Sequence, residues 1–156
     1  MKKIIAGLLI LVSLSVYAKD DYVLCSASSD RESNMYFSKR VIKSIDYRYN
    51  CTYLVWVKIN SYGNTKKGSV NKIVSYYKRN KLDYSKADDF AYTIQLYLID
   101  IEEYKIKYIS DKVFYNIKGK SMLAEDSDAS GKDWIYITPR SDIFGLISDI
   151  KKYVHK

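Results

Sequence analysis

The chain has 156 residues, 26 Lys plus Arg against 18 Asp plus Glu, a net charge of +8, and 47% hydrophobic residues that include 17 Tyr. One His, two Cys and six Gly leave little material for a Ser-His-Asp triad, a zinc centre or a glycine-rich phosphate loop. What remains is a basic, tyrosine-heavy, β-rich domain large enough to bury its own core.

The first element is a leader. Lys2 and Lys3 form a basic start, Ile4 to Val16 is an apolar run, and Val16-Tyr17-Ala18 supplies small residues at the −3 and −1 positions of a cleavage site. This order predicts a secretory signal peptide over 1–18, too short to span a bilayer, which takes about 20 apolar residues. Its removal leaves one domain, 19–156, with 24 basic and 18 acidic residues, a net +6. The surplus favours acidic partners outside the cytoplasm, and export separates the chain from nucleic acid.

Asp21 to Ala27 reads as a first strand, with Val23, Cys25 and Ala27 on one face and Tyr22 and Leu24 on the other. Ser28 to Asn34 is polar and reads as a loop. Met35 to Phe37 and Val41 to Ile45 form a second strand region, irregular around Lys39-Arg40. Tyr49 to Tyr62 carries the strongest strand signal, dense in β-branched and aromatic residues. Cys51, Tyr53, Val55, Val57 and Ile59 take one face, and Thr52, Leu54, Trp56 and Lys58 the other.

Gly63 to Gly68 reads as a turn-rich loop. From Ser69 the period changes: Val70, Ile73, Val74 and Tyr77 stand at i, i+3, i+4 and i+7, the spacing of a helical face. Leu82 to Asp89 is polar. Tyr92 to Ile101 and Tyr104 to Phe114 predict an antiparallel pair around Glu102-Glu103, and Ser121 to Ala124 a short strand after the Gly119-Lys120 turn. Glu125 to Lys132 is an acidic loop and Trp134 to Ile137 a last extended piece. A final helix follows Pro139, with Ser141 as cap, Asp142 at the positive end of its dipole, and an apolar stripe of Ile143, Phe144, Ile147, Ile150 and Val154. The fold class is α+β: a mostly antiparallel sheet with a C-terminal helix packed on one face.

Chemistry-bearing residues are few. Asp88-Asp89, Glu102-Glu103 and Glu125-Asp126 lie in predicted turns and read as solvated carboxylates rather than a facing catalytic pair. Trp56 and Trp134 sit in apolar runs and read as core. Cys25 and Cys51 are an even count in an oxidising compartment. They form a candidate disulfide closing a loop of about 26 residues, worth on the order of 3 kcal/mol; two buried free thiols acting as small hydrophobes are the alternative. Lys66, Lys67, Lys72, Tyr76, Tyr77, Lys78, Arg79 and Lys81 interleave cations with aromatic rings and form the candidate binding segment. A solvated helix face over packed tyrosines is the bland reading of the same residues. No metal or cofactor is expected.

Val55-Trp56-Val57-Lys58, Tyr97-Leu98-Ile99-Asp100 and Lys105-Ile106-Lys107-Tyr108-Ile109-Ser110 follow one another along the chain. Phe114-Tyr115 before Gly119-Lys120, then Trp134-Ile135-Tyr136-Ile137-Thr138-Pro139-Arg140-Ser141, complete the series. Their order and spacing resembles the surface-adhesin protein E-like family, small exported proteins of Gram-negative bacteria. The resemblance implies a sheet of about six antiparallel strands with the C-terminal helix on its concave face. It also implies a non-enzymatic protein at the cell surface or in the periplasm, adhesion to host matrix and epithelial components, and a homodimer. The family pattern places one Cys just after the Ile-Asp pair and another near the chain end, where this chain has Ile101 and Val154. The leading expectation is an exported binding protein for host matrix proteins or acidic glycans. The alternative is a periplasmic envelope or inhibitor-like domain with an acidic protein partner.

Overall fold

A computed structural model describes residues 21–27, 31–43, 51–126 and 133–156; the leader 1–18 and most of the loop 125–132 lie outside them. The elements in order are β1 (Tyr22–Ala27), β2 (Ser33–Ser38), β3 (Ile42–Lys43), β4 (Thr52–Ser61), α1 (Gly63–Arg79) and a 3₁₀ turn (Ala87–Asp89). Then come β5 (Phe90–Asp100), β6 (Lys105–Tyr108), β7 (Lys112–Asn116), β8 (Ser121–Glu125), β9 (Ile135–Tyr136) and α2 (Asp142–Val154). The α+β class read from the sequence is the one observed.

The sheet is built on β4 and β5, its two longest strands, which pair antiparallel from Thr52↔Asp100 to Asn60↔Tyr92. Neither strand contains Pro or Gly, and both are rich in β-branched and aromatic residues. Each shares its outer edge between two neighbours. β4 pairs β2 near its C-terminal end and β3 near its start. β5 pairs β7 along its first half and β6 along its second. The run Tyr104 to Phe114 is therefore two strands rather than one, because the chain must step sideways to serve both halves of β5. Ser110 fixes that step: its hydroxyl accepts the Leu96 N–H at 2.9 Å, and its carbonyl accepts from Gln95 Nε2 at 3.1 Å.

Alternation assigns the faces. Val23, Met35, Phe37, Val55, Val57, Tyr97, Ile99, Ile101 and Ile106 gather beneath Leu146, Ile147 and Ile150 of α2. The Ser141 hydroxyl caps α2 by accepting the Ile143 N–H at 3.2 Å, as its sequence position predicts. Leu146, which the stripe read from the sequence leaves out, is fully buried. Full burial is worth roughly 1.5–3 kcal/mol for each such side chain, so α2 is held by its apolar face. Ile101 is buried in this core and Val154 packs against it.

The same sheet face continues through the pair Thr93↔Phe114 to a second cluster, where Ile73 of α1 meets Ala87, Phe90, Phe114 and Leu123. Both helices thus rest on one face of the sheet. The opposite face carries Tyr22, Leu24, Tyr36, Trp56, Lys58, Tyr92, Ile94 and Tyr115.

The start of α1 departs from the sequence reading: the helix begins at Gly63, inside the segment expected to be a loop. Tyr62, at the N-cap position, contributes no side-chain cap. Glu32, just before β2, supplies one instead. Its Oε1 accepts the Asn64 N–H at 3.1 Å, and its Oε2 accepts the Thr65 N–H at 3.0 Å and the Thr65 hydroxyl at 3.1 Å. A carboxylate on the free N–H groups of a first turn satisfies donors and opposes the positive end of the dipole.

The expected Cys25–Cys51 bond is corrected by the register. Neither is in a disulfide; both are half-buried, and the Cys25 thiol donates a hydrogen bond to the Met35 carbonyl at 3.0 Å. Met35 pairs Ile59, which places Cys25 beside the C-terminal end of β4, whereas Cys51 immediately precedes that strand. Eight residues of strand span roughly 26 Å, far beyond the about 7 Å between Cα atoms that a disulfide tolerates.

Candidate functional site

α1 is the basic element. Its sequence, GNTKKGSVNKIVSYYKR, holds five cations and no carboxylate. Val70, Ile73, Val74 and Tyr77 anchor it to the second core cluster, and the Tyr77 hydroxyl donates to the Met122 carbonyl at 2.8 Å. Lys78 and Arg79 lie in the last turn, where the helix dipole favours positive charge.

The candidate binding residues do not form a single patch. Each residue turns the helix about 100°, so Lys72 and Arg79 share one flank and Lys67 and Lys78 share another, roughly 100–140° away. Lys66 points toward the core side and is half-buried, while Lys67, Lys72, Tyr76, Lys78 and Arg79 are exposed. The Lys78 ammonium lies 5.1 Å from the Tyr84 ring centre. Lys81 follows the helix with φ +56° and takes part in its termination.

The Lys72–Arg79 flank borders a groove of about 400 Å³, lined by Asn71, Lys72, Ser75, Tyr76 and Arg79 of α1 and by Leu123 to Glu125 of β8. Lys72 Nζ reaches Glu125 Oε1 at 2.9 Å. Lys112, cross-strand from Glu125, has its pKa pushed below the usual lysine value, chiefly by burial; Glu125 opposes the shift and Lys72 adds to it. Glu125 thus compensates two cations, while Arg79 has no ion-pair partner among the described residues. The groove therefore presents a guanidinium, an aromatic edge and two small polar side chains, Asn71 and Ser75, beside the Lys72–Glu125 pair, a set able to hold an anion on Arg79.

The paired carboxylates of the sequence are dispersed. Glu102 Oε2 is held by Lys151 Nζ at 2.7 Å, and Glu125 faces Lys72. Asp88 and Asp89 lie in the 3₁₀ turn. Among the described residues no group of three His, Cys, Asp or Glu could hold a metal ion, and no helix is long and apolar enough to cross a membrane. Trp134 is half-buried and its ring lies 5.2 Å from the Lys105 ammonium. Trp56 is likewise half-buried, on the face away from the helices.

Fold and site together describe a small α+β domain with an open antiparallel sheet, two helices on one face and a basic groove beside the first. No family model matches the chain, and no curated protein matches it. Among solved structures it is similar to Haemophilus influenzae protein E at 12% identity, over 90% of this chain and 92% of that one, with a TM-score of 0.48. That weak likeness concerns the arrangement of elements and carries no function to this chain.

Proposed function

We propose that the chain is an exported, non-enzymatic binding protein that holds acidic glycans or acidic faces of host matrix proteins on α1. The observation that carries the reading is a helix of 17 residues with five cations and no carboxylate, seated by an apolar stripe that leaves its charged flanks in solvent. The basic-then-apolar start of the sequence supports export. Glu102 and Glu125 are engaged by different lysines, Lys151 and Lys72, which supports a binding role over a hydrolase built on a facing carboxylate pair.

The test is retention on an immobilised sulfated glycan along a salt gradient. Exposed charges are screened within about 10 Å at 0.1 M salt, so binding through α1 weakens steeply with salt. The pair Lys72→Gln with Arg79→Gln lowers retention more than Lys67→Gln with Lys78→Gln if the groove is the main contact. Retention indifferent to salt and to both pairs would overturn the assignment. Protease treatment of intact cells, with a periplasmic leakage control, then separates the surface from the periplasm: cleavage of the domain means surface display.

A further inference from the structure

The sheet face opposite the helices holds a cation with no ion-pair partner among the described residues. Two adjacent rows cross it. One is Leu24–Tyr36–Lys58–Ile94–Val113–Ala124, and the other is Asn34–Asn60–Tyr92–Tyr115. Lys58 is the single charged side chain in either row. Its ammonium lies 4.2 Å from the ring centre of Tyr92, 5.8 Å from Tyr22 and 6.0 Å from Tyr36. The other side of Tyr92 is closed by Tyr115, stacked at 5.3 Å and 16°. Lys58 makes no ion pair with a described residue, and burial alone lowers its pKa. The surrounding side chains are partly exposed, and Leu24 at the edge of the row is 58% exposed.

Ring faces hold an ammonium in place but do not neutralise it. Among the described residues no carboxylate takes up the three donors of Lys58, which are left for an acceptor arriving from outside. A second copy stacked face to face would bring no carboxylate in these rows to Lys58, so self-association does not complete the site. The neighbouring groups are phenol hydroxyls, the amides of Asn34 and Asn60, and the apolar edges of Leu24 and Ile94. These match a ligand with one carboxylate, several hydroxyls and a C–H face.

We infer that this face is a second binding site, separate from α1, for an acidic saccharide whose sugar carboxylate docks on Lys58 between Tyr22, Tyr36 and Tyr92. The inference does not rest on the reading of α1, which lies across the sheet.

The probe is a sulfate-free oligosaccharide of alternating glucuronate and N-acetylhexosamine, titrated into the purified protein, with its carboxyl methyl ester as the uncharged control. The expected result is saturable binding, with movement of the Lys58 ε-methylene and Tyr92 ring signals in NMR spectra. The ester and the Lys58→Met variant should bind at least tenfold more weakly, with Lys58→Arg retaining most of the affinity. Tyr36→Leu, at the rim, provides a second variant if Lys58→Met fails to fold, and should weaken binding severalfold. The Lys72→Gln/Arg79→Gln pair should leave the movement of the Lys58 and Tyr92 signals unchanged, whatever binding it removes from α1. No binding by the unmodified protein, equal binding of acid and ester, or a dimer whose formation buries Lys58 would each overturn the proposal. Loss with the α1 pair but not with Lys58→Met would place the sugar on α1, overturning this site while leaving the proposed function standing.

Discussion

Glu32 sits directly over Gly63: a Cβ on that glycine would lie 2.8 Å from Glu32 Oε1, and the backbone there has φ +49°. The missing side chain lets a carboxylate from the start of β2 reach the first turn of α1, while the Tyr62 N–H donates to the Glu32 carbonyl at 2.7 Å. The basic helix is thus tied to the sheet at its N-terminus by one residue distant in sequence. Gly63→Ala should cost about 1–2 kcal/mol from the left-handed conformation alone, with further loss from displacing the cap. Glu32→Ala should cost about 1 kcal/mol, a usual value for a lost cap. Denaturant unfolding measures both. Combining them should cost less than their sum, because both act on the same contact.

The other end of α1 is closed against residue preference. The Leu82 N–H donates to the Tyr77 carbonyl at 2.8 Å and the Lys81 N–H to the Lys78 carbonyl at 3.2 Å, which places Lys81 at the left-handed position of a Schellman turn, usually a glycine. Lys81→Gly should therefore raise stability by about 0.5–1 kcal/mol, relief of the side-chain penalty less the entropy of a new glycine. An unchanged or lowered midpoint in thermal unfolding would show that the lysine makes a compensating contact.

Asp100 and Lys105 form a buried ion pair at 3.5 Å, with side chains only 6% and 10% exposed. Asp100 Oδ1 also accepts the N–H groups of Glu102 and Glu103, at 3.1 and 2.9 Å, so it shapes the β5–β6 turn. Removing one member of a buried pair typically costs about 3–5 kcal/mol. Asp100→Ala should reach that range, since it strands a buried ammonium and frees two turn donors. Lys105→Met should cost less, because Asp100 keeps both backbone bonds. The comparison is made by denaturant unfolding at neutral pH.

Tyr97 is buried against Tyr108, and burial first, then the neighbouring phenol, pushes its pKa far above the ordinary tyrosine value of 10.0. A pKa raised on folding means stability fully present below about pH 10 and lost as pH climbs toward the folded value. Lys58 and Lys112 act in the opposite direction: burial lowers both from 10.5, so their unfavourable contribution fades as pH rises to that value. Above it the groups raised on folding dominate, Tyr97 with Tyr108, raised by burial, and Lys151, raised by its hydrogen bond to Glu102, and the protein should lose stability in alkali. Tyr97→Phe should move the alkaline midpoint upward, with tyrosinate absorbance and circular dichroism read together.

The spacing of Cys25 and Cys51 along the sheet makes two reduced thiols the expected state. Protein purified without reductant, unfolded and alkylated, should gain two alkyl groups by mass. A mass without alkylation would reveal a bond and require a different register for β1.

The α+β class, the central strands and the C-terminal helix could be read from the sequence because period and capping are local properties. Val55 and Val57 alternate with Trp56 and Lys58 whatever surrounds them, and Ser141 caps α2 from the adjoining residue. The limits of α1, the separation of the thiols and the arrangement of the cations could not be read, since each depends on residues far apart in the chain. Glu32 turns a loop-like stretch into a first helical turn from 31 residues away. β5, shared between β6 and β7, breaks what looks like one strand into two. Helical rotation divides a continuous basic segment, giving Lys72 and Arg79 to a groove and Lys67 and Lys78 to another flank. The tyrosines around Lys58 come from β1, β2 and β5, and pairing alone brings them together. Composition and periodicity determined which elements form and which faces are apolar; register and packing decided which side chains meet.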